Sequence, residues 1–411
     1  MDRMLGVYIH IPFCASKCSY CDFYSLPNQD ELMDRYQKAL IRHIEESAPQ
    51  MAPYYIDTVY FGGGTPSFYG ARRLCELFET LKTNARVLKS AEVTVEMNPD
   101  SVTKEDLHLL HEAGVNRISL GVQSANDDIL RLIGRRHNYR QVIEAVKLIR
   151  AEGFDNLSVD LIYGLPTQSR SDWADTLSNA LALLPEHLSC YGLKVEEGTP
   201  ICKYQDSPLL PNDDDQADMY LYMTDVMERY GYQQYEISNF ARPGRQSRHN
   251  LKYWQLDEYM GFGPAAHSYV GGVRYSYVRD LKKYLDGVEN GGSVVDEYEK
   301  IDKAESAAEY IMLGMRTTRG ISKDEYFAIY RSGFDKIEYL LSEYENKGWV
   351  RQAGDRWRFT SSGFLLSNIL IGTLLEAQSQ AKMNANPWIT ERLDEPEPRL
   401  SMPDNDVLNR G

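Results

Sequence analysis

Cysteine is scarce in this chain: six residues among 411. Three of them, Cys14, Cys18 and Cys21, fall within eight residues, and Cys75, Cys190 and Cys202 are scattered. A disulfide framework is normally denser and sits in a shorter chain, so a reducing compartment is expected. Long apolar runs are also missing; none approaches the roughly 18 residues a membrane span needs. The opening "MDRMLGVYIH" has no basic stretch followed by an apolar segment, so no signal peptide is expected. Cations are outnumbered, with 45 Lys and Arg against 60 Asp and Glu and a net charge of −15. That balance excludes a general binder of nucleic acid or anionic membrane. These absences together predict a cytoplasmic protein with no nucleic-acid partner and no membrane span.

What is present is an alternation. Short apolar runs at Leu5–His10, Thr58–Phe61, Glu92–Glu96, Arg117–Leu120, Leu157–Leu161 and Leu188–Leu193 read as strands. Between them lie segments such as "DRYQKALIRHIEE" and "RQVIEAVKLIRAEG", with apolar residues three and four apart, which read as helices. Strand–helix units at about 30-residue spacing predict an α/β fold, a parallel sheet with right-handed crossovers. Six such units predict a barrel or an open partial barrel, (β/α)6 in type. Mostly apolar strands fit a sheet covered on both faces.

The alternation fades after about residue 235. A loop rich in Gly, Pro and Arg follows, then the Gly-rich "YMGFGPAAHSYVGGVRY". From about Asp302 helices return, followed by short strand-like runs at "WVRQAG" and "RWRFT". Helices before a small hairpin resemble a winged helix, expected here to serve packing or a partner because the chain is acidic. The polar, Pro-containing tail reads as disordered. The expected division is 1–240, 241–300, 301–377 and 378–411.

Chemistry in a parallel barrel gathers at the C-terminal ends of the strands. The first strand carries Tyr8 and leads into the cysteine loop. The second leads into Gly62, Gly63, Gly64, Thr65 and Pro66; bare backbone there admits a ligand or serves a turn of positive φ. No Lys-Ser/Thr follows, so it is not a phosphate loop. Glu96, Gln123 and Asp160 close the next three strands, either as ligand contacts or as caps and rim ion pairs. Arg135 is a bidentate partner for a ligand carboxylate or a solvated helix-end cation. The cysteines offer three thiolates where tetrahedral zinc or a cubane cluster takes four ligands. An open fourth position is where a substrate or cofactor binds.

The motifs "YIHIPFCASKCSYCDF", "VYFGGGTPS", "VEMNPD", "SLGVQS" and "VDLIYGLP" resemble the radical S-adenosylmethionine (SAM) superfamily. They are most similar to its branch containing the oxygen-independent coproporphyrinogen III oxidases and the heme chaperones. The resemblance covers most of the chain and implies a radical SAM partial barrel over 1–240, with a winged-helix-like module over 301–377. It implies a [4Fe–4S] cluster on Cys14, Cys18 and Cys21, completed by SAM. It places Tyr8 and Tyr20 beside cluster and cofactor, with Gly63, Gly64, Thr65, Glu96, Gln123, Arg135 and Asp160 serving SAM.

Two departures favour the chaperones. The oxidases carry a further cysteine two residues after the third; here that position is Phe23. The oxidases also have an extension before the first strand, whereas four residues precede Leu5 here. "HNLKYW" in the 241–300 segment matches the H-N-x-x-Y-W motif associated with heme in those chaperones, which implies His249, Asn250, Tyr253 and Trp254 as heme contacts. Physically, a neutral imidazole suits heme iron, the two aromatics suit a porphyrin face, and Arg242, Arg245 and Arg248 suit its propionates. The same residues also fit a domain interface. No C-x-x-C-H motif supports covalent attachment. The expected function is heme binding and transfer to heme-requiring apoproteins such as respiratory enzymes, with dimerisation as a further expectation. The alternatives are coproporphyrinogen III decarboxylation and a zinc-stabilised adaptor.

Overall fold

The structure is a computed structural model and describes residues 3–384. All six expected strands form: β1 (Arg3–Ile11), β2 (Tyr54–Gly63), β3 (Arg86–Met97), β4 (Arg117–Gln123), β5 (Leu157–Tyr163) and β6 (His187–Gly192). They pair in parallel in that order. The helices between them are set by local signals. One helix, Tyr139–Ala151, starts at a capping box in which the side-chain oxygens of Asn138 and Gln141 each accept the other's backbone N–H.

The sheet extends beyond these six. Gln233–Gln234 (β7) and Asn239–Ala241 (β8) run antiparallel past β6. Tyr259–Phe262 (β9) pairs in parallel with β1, and His267–Val270 (β10), Val273–Tyr277 (β11) and Val295–Lys300 (β12) follow antiparallel. The strand order is β12-β11-β10-β9-β1-β2-β3-β4-β5-β6-β8-β7. The 241–300 segment therefore contributes four strands and two helices, Arg248–Gln255 and Leu281–Asn290, to the body of the barrel.

The two faces of the sheet differ. Leu5, Val7, Ile9 and Ile11 of β1 are fully buried in the main core, as are Ile56, Val59 and Phe61 of β2. Between them, at a period of two, stand Tyr8 and His10 on β1 and Thr58 and Tyr60 on β2. Their counterparts are Thr94 and Glu96 on β3, Ser119 on β4, Ser158 and Asp160 on β5, and Ser189 on β6. One face is thus hydrocarbon packed on helices and the other a polar ladder, not two apolar faces.

Beyond the barrel, helices Lys303–Gly314, Lys323–Tyr330 and Asp335–Asn346 combine with a three-stranded sheet: Ile321–Ser322, Val350–Ala353 and Arg356–Phe359. This is the winged-helix arrangement. It is stitched to the barrel edge by Ile237 N–H to Arg316 O (3.0 Å) and Thr318 N–H to Tyr235 O (3.0 Å). The last helix runs Ser367–Asn384, so the segment expected to be disordered from 378 begins as helix; the rest of that tail lies outside the described residues.

Candidate functional site

A cavity of about 470 Å³ opens at the C-terminal ends of the strands. Cys14, Cys18, Cys21 and Tyr20 of the loop after β1 line it, with Gly63, Gly64 and Thr65 after β2. Glu96, Gln123, Arg135 and Asp160 complete the expected set. Tyr8 stands one step away. It stacks on Tyr60 with centroids 6.2 Å apart and faces a neighbouring cleft.

The glycine loop is tied to the cysteine loop. Gly64 N–H donates to Ile11 O (2.7 Å) and Thr65 N–H to Phe13 O (2.8 Å). A Cβ on Gly64 would lie 2.5 Å from the Phe13 carbonyl, and one on Gly63 would lie 2.5 Å from the His10 ring. Gly63 also has φ +113°, a conformation that favours glycine. The glycines are thus required both by backbone conformation and by the close approach of the two loops.

Glu96 is held at both oxygens. Tyr60 Oη donates to Oε1 (2.8 Å) and Gly63 N–H to Oε2 (3.1 Å). Burial nonetheless raises its carboxyl to about 7, with Asp160 adding to the rise and the Tyr60 bond opposing it. Asp160 accepts from Ser119 Oγ (3.1 Å) and Ser158 Oγ (3.3 Å). Burial raises its carboxyl too. Gln123 sits at a bulge between β4 and β5 with φ +67°, a strained setting at the cavity rim.

Arg135 is not a solvated cation. Its Nη2 donates to Gly121 O (2.6 Å) and Asn98 Oδ1 (2.8 Å), while Nη1 lies 3.6 Å from Cys18 Sγ. One guanidinium thus ties the cysteine loop to the ends of β3 and β4.

Sequence reasoning missed several residues of this site. Tyr60, Ser119, Ser189 and Asn98 line the cavity, and each lies two positions from an expected residue or its strand partner. The period-two alternation could have found them. Arg117 carries the same signal, two positions before Ser119 and opposite Thr94. It lies buried at the cavity wall with Nε and Nη1 unpartnered among the described residues, a fixed positive charge beside Asp160 and Glu92.

The H-N-x-x-Y-W segment lies elsewhere than expected. It forms the helix Arg248–Gln255, packed against the inner face near the start of β2. His249 is buried; its Nδ1 lies 2.8 Å from Thr58 Oγ1 and its Nε2 2.8 Å from Tyr253 Oη. Its ring stacks on Tyr60 with centroids 5.2 Å apart. Burial lowers its pKa to about 3, so it stays neutral. Glu92 accepts from the His249 and Arg248 amides, both at 3.1 Å, and Lys252 pairs with Asp57 at 2.8 Å. Arg242 lies over the Tyr232 ring, Arg245 meets Asp155, and Arg248 meets Ser90 O and Asp57. Trp254 is half-buried, and of the four expected heme contacts only Asn250 reaches the main cavity. The geometry does not offer His249 to a metal: both ring nitrogens are occupied.

The comparisons with known proteins agree over most of the chain. A model of the radical SAM superfamily matches residues 8–180, and a model of the HemN C-terminal domain matches 301–366. The heme chaperone HemW of Bacillus subtilis is 36% identical over 90% of this chain and 99% of its own. The chain belongs to the HemW family of radical SAM proteins. HemW of Escherichia coli is 32% identical over 90% of this chain and 98% of its own, and HemW of Mycobacterium tuberculosis 33% over 90% and 94%. The fold is also that of coproporphyrinogen III oxidase (HemN) from Escherichia coli, described as a radical SAM enzyme: TM-score 0.80, 23% identity, 92% of this chain and 90% of that one.

Membership in the radical SAM superfamily implies a [4Fe–4S] cluster and SAM. The site fits that pair. Three thiols stand on one wall of a cavity whose other walls carry carboxylates, hydroxyls and bare backbone. Among the described residues, no three His, Cys, Asp or Glu side chains are gathered tightly enough for a single metal ion. No helix among the described residues is long and apolar enough to cross a membrane.

Proposed function

We propose that this protein binds heme and hands it to heme-requiring apoproteins of respiratory type, using a [4Fe–4S] cluster and SAM. The observation that carries the reading is the end-to-end match to proteins named heme chaperone, 36% identical over nearly their whole length. The absence of a cysteine at Phe23 supports it against the oxidase reading. In this reading Cys14, Cys18 and Cys21 hold the cluster. Gly63, Gly64, Thr65, Glu96, Gln123, Arg135 and Asp160 hold SAM, and Tyr8 and Tyr20 flank the pair. A cluster held by Cys14, Cys18 and Cys21 would, when reduced, supply the electron for reductive cleavage of SAM.

The chain's own residues have defined tasks. Arg135 fixes the cysteine loop through Cys18, so that the thiols keep their spacing. Tyr60 and the Gly63 amide hold the Glu96 carboxylate at the cavity, where it would meet a cationic group of SAM. Ser119 and Ser158 hold the Asp160 carboxylate at the cavity wall, where it would accept from the hydroxyls of a ribose. The protein acts in the cytoplasm, and a homodimer is its working assembly. The test of transfer is to load the protein with hemin, mix it with a heme-free respiratory apoprotein and separate the two. Heme is expected on the recipient; heme that stays on the donor at equilibrium refutes the transfer step.

A further inference from the structure

A second space adjoins the first. It is an open cleft of about 510 Å³ between the loop after Cys21 and the outer strands β9 to β12. That volume falls within the roughly 300–1,000 Å³ of sites that take ligands of drug size. Its walls are aromatic: Tyr8, Phe23, Tyr24, Tyr253, Tyr259 and Tyr277. Tyr253 and Tyr259 meet edge to face on its wall, with centroids 4.6 Å apart. Phe23 is 69% exposed and its ring borders the cleft.

Two histidines line this cleft, and they differ. His10 is buried, with Nδ1 at 3.0 Å from Tyr8 Oη and Nε2 at 2.8 Å from Tyr24 O. His267 on β10 is exposed, and neither ring nitrogen has a hydrogen-bond or ion-pair partner among the described residues. It stands on a rung of the sheet, opposite Ser276 of β11, which in turn stands opposite Glu297 of β12. Arg279 closes one edge; its Nη2 donates to Asp22 O at 2.8 Å and lies 4.0 Å from Asp22 Oδ1, and its side chain is 59% exposed. The other edge carries Asp296 and Glu297. Asp22 and Phe23 line both this cleft and the cysteine cavity, so one short segment is the wall between the two spaces.

We infer that this cleft is the heme site, with His267 as the axial ligand to iron and Arg279 as the partner of a propionate. The inference rests on the heme reading above and moves the ligand from His249 to His267. A free neutral imidazole is what ferric heme takes as an axial ligand. Aromatic walls match the porphyrin faces, and a guanidinium meets a carboxylate in bidentate fashion. The acidic edge at Asp296 and Glu297 repels propionates and so sets the propionate side of the ring toward Arg279.

The test is hemin titration of anaerobically reconstituted full-length protein, comparing wild type with His267→Ala, His267→Gln, Arg279→Ala and His249→Gln. Both His267 variants are expected to bind hemin roughly tenfold or more weakly and to lose the imidazole-ligated Soret band. Free imidazole is expected to restore that band. Arg279→Ala is expected to weaken binding with an unchanged band, and His249→Gln to keep both affinity and band. Unchanged affinity and band in the His267 variants would overturn the assignment while leaving the heme reading intact. Wild type that binds no hemin would overturn both. Circular dichroism and iron content identify a variant that has lost its fold. His267 is exposed, so both of its variants are expected to fold.

Discussion

His249 Nε2 lies 2.8 Å from the Tyr253 hydroxyl, within one turn of the same helix. Thr58 takes the other ring nitrogen. The motif residue that reads as a heme ligand is therefore a strut between a helix and the barrel wall. His249→Ala removes a stacked, doubly bonded ring from a buried site. It is expected to cost about 2–4 kcal/mol of stability in urea unfolding, a cavity cost plus unsatisfied partners. A loss below the error of the measurement would show that the ring is not structural.

The sequence displayed the barrel strands and the cavity set because both repeat: apolar runs at unit spacing, and a polar residue at each strand end. It hid β9 to β11 because those strands are short and sit among Gly, Tyr and Ser, a composition that reads as loop, and β12 because its sequence, "VDEYEK", is mostly charged. The burial of His249 was hidden for another reason. Thr58 and Glu92 enclose it from far along the chain, and no local pattern shows a partner across about 150 or more residues of separation. His267 was passed over because its glycine-rich surroundings gave no strand on which to place it.

Gly64→Ala sets a methyl group against the Phe13 carbonyl, a backbone atom that cannot step aside. The glycine loop and the cysteine loop should separate. Iron and sulfide per chain after reconstitution, and SAM binding, should both fall. A variant with full cluster content and wild-type SAM affinity would mean that the two loops are not mechanically joined.

Replacing Cys14, Cys18 or Cys21 singly with Ala should abolish reconstitution of a stable four-iron cluster, because each removes one of only three thiolates. Cys75→Ala should not, since Cys75 lies on the outer helix Ala71–Asn84, away from the cavity. Iron analysis separates these outcomes directly.

The pH dependence of SAM binding follows from Glu96. Its carboxyl titrates near 7 because burial disfavours the charge. SAM carries a sulfonium and an ammonium group, so it favours the ionised form. Affinity measured by calorimetry should rise from pH 6 through about 7 and then level, with proton release on binding at the lower pH. Glu96→Gln should bind more weakly at pH 8 and show little rise. The same raised pKa disfavours the fold of the empty protein as pH climbs from 4.5 toward 7, since the unfolded chain ionises first. A wild-type affinity that is flat between pH 6 and 8 would contradict the assignment of Glu96 to the cationic end of SAM.

Phe23→Ala should weaken hemin binding by roughly tenfold, through loss of an aromatic wall. It should leave iron and sulfide content unchanged, because the side chain is exposed and supplies no thiolate. Hemin affinity should also differ between the cluster-free and reconstituted protein, because Asp22 and Phe23 border both spaces. Identical affinity in the two forms would separate the cleft from the cluster.

The central claim is a heme carrier built on a radical SAM core, not a porphyrinogen oxidase. It is tested by giving anaerobically reconstituted wild-type protein hemin in one vessel and coproporphyrinogen III with SAM and reductant in another. The account predicts saturable hemin binding and no vinyl product. Sustained formation of the divinyl product, with no hemin bound, would contradict it.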